Sequence, residues 1–184
     1  TKSSPKLAEE LVPNTLNLGQ LLTVLQNLLS EGVPVRDMRS IAEALANANI
    51  DSQDTAALTA VVRKSLRRLI VQHIYGNQDD LSVITLEPSL EQLLLKTVQQ
   101  TQQQTGSSEN IILEPNMAEK LQKSLKQAAQ QQEMTGHPAV LLVSAMLRLV
   151  LSNFIRNTID NLHVLSYQEI PDNKQVTIVA SVGK

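Results

Sequence analysis

Cysteine is absent from these 184 residues, which removes disulfides, thiol nucleophiles and cysteine-held zinc or iron. Tryptophan is absent too, and Tyr75, Phe154 and Tyr167 are the only aromatic residues. So few rings argue against a surface that stacks bases or sugars. The six glycines form neither GxGxxG nor GxxxxGK[ST], so no phosphate-cradling loop is visible. No apolar run reaches the about 18 residues that a membrane-spanning helix needs. Neither charge is in surplus. Net charge is −2, and Lys plus Arg number 8 against 9 Asp plus Glu both in residues 1–80 and in 81–184. Neither half carries the field expected of a nucleic-acid or anionic-membrane binder. The opening "TKSSPKLAEE" has no signal-peptide pattern and begins on threonine, so a fragment is expected, with any membrane anchor outside it.

What the chain does contain is aliphatic. Apolar residues make up 42% and can bury a core. Residues 1–12 are polar and read as a loose or short helical approach. A strong helix follows from about Leu18 to Leu29, with Leu18, Leu21, Leu22, Leu25, Leu28 and Leu29 spaced as one buried face. Asn17 and Gln20 approximate a capping box, and Glu31-Gly32 ends the helix. A second helix is expected at about Met38 to Asn47, its apolar face marked by Ile41, Ala44 and Leu45. "NANIDSQDT" connects it to a third, from about Asp54 to Tyr75. The opposite side of that helix carries Arg63, Lys64, Arg67 and Arg68, read as a solvated or contact face. "GNQDD" (76–80) is the boundary.

Beyond it the texture changes. "LSVITL" is a strand, and "EPSLEQLLLKTVQQ" opens a helix with proline in its first turn. A Gln- and Ser-rich stretch partly extends that helix and then becomes a loop. Leu113-Glu114-Pro115 repeats Leu86-Glu87-Pro88 after 27 residues and opens another helix, which reads as the same solution to a turn, with an internal duplication as the alternative. "PAVLLVS" is an apolar strand, central in its sheet. "AMLRLVLSNFIRNTI" is a well-buried helix. "VLSYQEI" and "QVTIVASV" read as strands joined by "PDNK" in a hairpin. The expected architecture is a three-helix subdomain over 1–80, then a small α/β subdomain with about four strands over 81–184.

Chemistry is hard to find. His73, His137 and His163 have no partners at metal-binding spacing, Asp160 with His163 being the nearest case. Ser144 stands between strand and helix, where hydrolases place a nucleophile. Leu142 and Met146 occupy the positions where that tight turn needs small residues, so Ser144 reads as a helix N-cap. In "GVPVRDMRSIAEAL", Arg36-Asp37 has no neighbouring base. Asp37 reads as the N-cap of the helix that follows, and Pro34 keeps Val33 extended. No cofactor or metal is expected.

Two long blocks carry a resemblance. "LVPNTLNLGQLLTVLQNLLSEGVPVRDMRSIAEAL", and "PAVLLVSAMLRLVLSNFIRNTIDNLHVLSYQEIP" with "VTIVASVG", resemble the type III secretion export-gate family, the FlhA/InvA group, nearer its flagellar members. The resemblance implies a non-enzymatic scaffold. Such proteins have an N-terminal membrane region and four cytoplasmic subdomains that form a nine-membered ring at the bacterial inner membrane. They receive export substrates and chaperones and meet other export-apparatus proteins. This chain would be the helical third and α/β fourth subdomains, and would touch the membrane only through a region absent here. The third subdomain makes the ring contacts of the family, so Arg36, Asp37, Arg39, Arg63, Arg67 and Arg68 become candidates for subunit or domain contact. The alternative is a helix-turn-helix-like DNA-binding regulator with an α/β effector domain, reading duplex with helix 54–75. The balanced charge disfavours it, and no nucleic-acid partner is expected.

Overall fold

A computed structural model describes residues 18–48, 54–106 and 110–183. The approach at 1–12, Asn17 of the capping box, the middle of the connector and the centre of the Gln- and Ser-rich loop lie outside the described residues. Contacts divide the chain into a first unit ending at His73 and a second beginning at Ile74.

The first unit is helical: α1 (Leu18–Ser30), α2 (Met38–Asn47), α3 (Thr55–Ser65) and α4 (Arg67–Tyr75), the last running into the second unit. α1 stops because Gly32 takes φ +72. From there the Gly32 N–H reaches the Leu29 carbonyl and the Val33 N–H reaches the Leu28 carbonyl, both at 3.0 Å. These bonds satisfy carbonyls that a helix end leaves open. α3 opens on Asp54, whose carboxylate accepts the Ala57 N–H at 3.0 Å. α1 and α2 both pack on α3. Val24, Leu28, Ile41, Leu45, Leu58 and Val62 form the centre, none more than 2% exposed.

Two expectations change here. The single helix from Asp54 to Tyr75 is two, parted at Leu66 (φ −91, ψ 11). Neither Gly nor Pro marks that point, and the Leu66 N–H still reaches the Val62 carbonyl, so the apolar period runs through the break without a mark. The six-leucine face of α1 is also divided. Leu28 is buried and Leu21 and Leu25 are half-buried, but Leu18, Leu22 and Leu29 are exposed by 70%, 53% and 57%. At 100° per residue the apolar arc from Val24 round to Leu22 covers about 160°, more than one packed neighbour fills.

In the second unit, β1 (Asp80–Leu86), β2 (Ala139–Val143), β3 (Leu162–Ser166) and β4 (Gln175–Val182) form one sheet in the order β3-β2-β1-β4, every pair parallel. β2 is internal and buried at all five positions, as an unbroken apolar run requires. Helices α5 (Pro88–Thr105), α6 (Pro115–Met134) and α7 (Ala145–Ile155) complete the unit. Ile84, Leu141, Val143 and Val164 of the sheet share a core with Leu94, Leu125, Leu147 and Leu151 of these helices. The two Leu-Glu-Pro phrases adopt one conformation. Glu87 (φ −57, ψ 140) and Glu114 (φ −57, ψ 136) each precede a first-turn proline.

The expected hairpin does not form, because β3 and β4 lie at opposite edges of the sheet. "PDNK" does turn, the Lys174 N–H reaching the Pro171 carbonyl at 3.1 Å, but it delivers β4 onto β1. The segment from Tyr167 to Lys174 makes this possible. The start of β4 lies three strand spacings across, about 14 Å, and about 16 Å back along the strands, a straight-line distance of about 21 Å that is within an extended eight-residue reach of about 26 Å. A short 3-10 turn at Tyr167–Glu169 starts the crossing. It is held by Glu169, whose Oε1 accepts the Ser166 N–H at 3.0 Å and lies 3.9 Å from Arg148 Nε. Both charged side chains are buried.

β4 is anchored unevenly. Val83 pairs with Ile178 and Ile84 with Ala180, so Val179 is an extra residue, a bulge. Past it, Ala180 and Val182 join the core, whereas Gln175 to Ile178 are exposed. Backbone bonds from Gln175 to Asp79 (2.8 Å) and from Glu87 to Val182 (2.7 Å) fix both ends.

Candidate interaction surfaces

The six residues nominated in the first unit meet different fates. Asp37 caps α2: its Oδ1 accepts the Ser40 N–H at 3.1 Å and its Oδ2 the Ser40 hydroxyl at 2.6 Å. Those two bonds, hydroxyl first, hold the carboxyl below its ordinary pKa. Arg39 Nε donates to Glu43 Oε1 at 2.9 Å along the same exposed helix face. Arg67 Nη1 donates to the Lys64 carbonyl at 3.1 Å, and the side chain shares a polar hollow of about 470 Å³ with Ser40, Glu43 and Asn47. Arg36 and Arg68 are exposed.

Arg63 corrects the reading of a solvated basic face. It is 3% exposed, and its Nη1 donates to Glu31 Oε2 at 2.9 Å, joining α3 to the end of α1. The duplex-reading alternative thereby loses one of its cations to the interior. No signal in the sequence pairs residues 31 and 63, which are far apart along the chain.

Replacing Asp37 with alanine is expected to cost about 1 kcal/mol, the usual worth of such a cap. A carboxyl with a lowered folded pKa stabilises fully above its unfolded pKa of about 3.9 and loses that contribution as pH falls through the folded value. Urea denaturation at near-neutral and acid pH should therefore show the gap between parent and variant closing on the acid side.

The second unit carries a hollow of about 640 Å³ that runs from the carboxyl ends of β1 and β2 to the first half of β4. Its walls come from Thr85 and Leu86 of β1, Leu142 of β2, Val176 and Ile178 of β4, Pro88 and Glu91 of α5, and Tyr167 and Ile170 of the crossing segment. Nothing local in the sequence points to it, because the crossing that builds it replaces the expected hairpin. Partial burial, then the Glu91 carboxylate, holds the Tyr167 phenol above its ordinary pKa. Glu91 Oε1 also accepts the Ser144 N–H at 3.2 Å. Ser144 occupies the N-cap position of α7, but its hydroxyl makes no cap bond and meets no hydrogen-bonding group. Glu91 thus places the anion at that helix end, and among the described residues nothing hydrogen-bonds the Ser144 hydroxyl. Among the described residues no group of three or more His, Asp or Glu is placed to hold a metal, and no helix is long and apolar enough to cross a membrane.

A sequence profile of the FHIPEP family matches residues 1–175. The chain belongs to the FHIPEP family. Among FHIPEP relatives, the flagellar biosynthesis protein FlhA of Proteus mirabilis is 43% identical over all 184 residues, which cover 25% of that protein. The chain thus spans about a quarter of the flagellar relative. Two solved structures match closely. One is the Chlamydia pneumoniae CdsV and CdsO complex, at TM-score 0.84 and 27% identity over 99% of this chain and 52% of that one. The other is the nonameric EscV cytosolic domain from the type III secretion system, at TM-score 0.76 and 26% identity over 97% of this chain and 51% of that one. The four-stranded parallel sheet and its helices are therefore a FHIPEP arrangement, and the sequence is nearer to the flagellar relative than to either solved chain.

Proposed function

We propose that this chain is the helical third and α/β fourth cytoplasmic subdomain of a flagellar-type protein export gate. It acts as a non-enzymatic scaffold of a ring of like chains below an export channel. The observation that carries this is the 43% identity to a flagellar FlhA across the whole chain. The nonameric assembly of one structural neighbour supports the ring, and the complex of another with a second protein supports a docking role. In this reading the helical unit contributes contacts between copies. Exposed Arg36 and Arg68 are its best-placed cations, and the exposed leucines of α1 add apolar area. Export substrates, chaperones and other export-apparatus proteins are the partners, and a membrane region outside this chain holds the assembly at the cytoplasmic face of the bacterial inner membrane.

A chimera tests this. The matched quarter of the Proteus mirabilis protein is exchanged for this chain in a strain lacking its own copy. Flagellar export, read by secreted flagellin and swimming, is expected to return to at least a measurable fraction of the parent level. A stable, membrane-located chimera that exports nothing would count against the reading. A second exchange carrying Arg36→Glu and Arg68→Glu should keep the chimera folded but reduce ring formation in cross-linking.

A further inference from the structure

The hollow of the second unit lies on the sheet face opposite the three-helix core. Ile84 and Leu86 of β1 enter that core, and Thr85 between them points to the other side. Leu142 of β2 and Ser181 of β4 are the register partners of Thr85 on either flank, and the three form the floor. The bulge at Val179 has a use here. Ile178 pairs with Val83 and Ser181 with Thr85, so two residues three apart share one face, which a regular strand forbids.

Strand order gives the place. β1, β2 and β3 step to one side, whereas β4 is laid on the other flank of β1. The winding therefore reverses between β1 and β4. Open parallel sheets take ligands outside the carboxyl ends of their strands at such a reversal. The volume of about 640 Å³ is that of a small-molecule pocket.

The polar groups decide what fits. Glu91 is the only charged residue of the lining. Its Oε1 is held by the Ser144 N–H, and among the described residues no cation pairs with it. Thr85, Tyr167 and Ser181 bring hydroxyls that, among the described residues, meet no hydrogen-bonding partner. The Tyr167 phenol, raised first by partial burial and then by Glu91, stays protonated. A half-buried carboxylate without a counter-charge favours a cation. An ammonium, with three donors and no acceptor, answers the carboxylate and nearby hydroxyl oxygens together. Leu142, Ile170 and Ile178 require an apolar body. That body has a length. From Leu142 across to β4 is two strand spacings, about 10 Å, and Ile178 stands about 7 Å back along the strand, a diagonal of about 12 Å.

We propose that this hollow binds a small amphipathic amine, its ammonium on Glu91 and its apolar body laid across the sheet from Leu142 to Ile178. A lysine side chain of a partner protein is too thin a stem to fill the space. The proposal uses the second unit alone and does not depend on ring assembly or on a role in export.

The chain, with labelled methyl groups, is titrated with n-octylamine, whose extended length is close to that diagonal. The shorter n-butylamine and the neutral n-octanol are the comparisons. Methyl resonances of Leu142, Ile170 and Ile178 are expected to shift saturably with octylamine, with a dissociation constant of about 1 mM. Butylamine stops short of Ile178 and is expected to bind at least about tenfold more weakly, since each methylene left unburied costs up to about fourfold. Glu91→Gln keeps an acceptor for the Ser144 N–H but loses the charge. It is expected to weaken both amines about fivefold and to leave octanol unchanged. Ile178→Ser, at a position 63% exposed and so outside the core, is expected to weaken octylamine about fivefold and to leave butylamine unchanged. No saturable shift up to about 10 mM octylamine would overturn the site. Octanol binding as tightly as octylamine would overturn the ammonium's place on Glu91. Equal sensitivity of the two amines to Ile178→Ser would overturn the path across the sheet. N-acetyl-lysine methylamide binding as tightly as octylamine would assign the hollow to a partner protein's lysine instead.

Discussion

Arg63→Ala should destabilise the helical unit by about 3–5 kcal/mol, the cost of stripping one partner from a buried ion pair. The Arg63 and Glu31 side chains are 3% and 9% exposed, and their bond of 2.9 Å ties α3 to the end of α1. Removing the guanidinium strands a carboxylate away from water, and that desolvation is the larger part of the loss. The control separates the two contributions. Arg63→Met together with Glu31→Leu removes both charges, and most of the lost stability should return. A double variant as unstable as Arg63→Ala would mean that packing of the long arginine stem, and not charge, is what matters. Tyr75 and Tyr167 are poorly placed as optical probes of this unit, so hydrogen exchange of segments 21–30 and 58–65 is the suitable readout. Exchange should quicken there and stay unchanged in β2.

Glu169→Ala should cost about 3 kcal/mol, the order expected when one partner of a buried pair is removed. Its consequence is more local than global. Glu169 holds the Ser166 N–H and so fixes the point where the chain leaves β3 to cross the sheet. Without it, the segment carrying Tyr167 and Ile170 loses its mooring, and the hollow loses a wall. Glu169→Gln keeps an acceptor for Ser166 but not the charge, and should recover part of the loss. Exchange rates across 162–174, measured for the parent and both variants, give the ranking. Equal rates in all three would show that the crossing is held by apolar contacts alone.

These two pairs also mark where sequence reading stops. Asp37, Gly32 and the prolines at 88 and 115 act on neighbours within about a turn of helix, so their roles are legible from spacing. The run of β2 is legible too, because so short an unbroken apolar stretch suits a strand covered on both faces. Arg63 and Glu31 are not legible, because 32 residues separate them and each alone resembles surface charge. The hairpin misleads for a related reason. "PDNK" has the chemistry of a turn, but a turn does not say which strand receives the chain after it. β1 receives it, and the parallel sheet follows. On α1 the leucines are easily counted, whereas the width of their arc decides how many of them are buried. Exposed Arg36 and Arg68 are visible as charges in the sequence, whereas the hollow beside β4 exists only once the strand order is known.

The order of the sheet also has a consequence in time. β1 is synthesised before the other three strands, yet Asp80 pairs with Gln175 and Ile84 with Leu141. At about 5–20 residues per second, roughly 5 to 20 s pass between the emergence of β1 and that of its last partner. Through that interval Leu81, Val83 and Ile84 wait with at least one flank open. A pause before β4 would leave on the ribosome a nascent chain in which α5, α6 and α7 are made and the first strand of the sheet is still half paired.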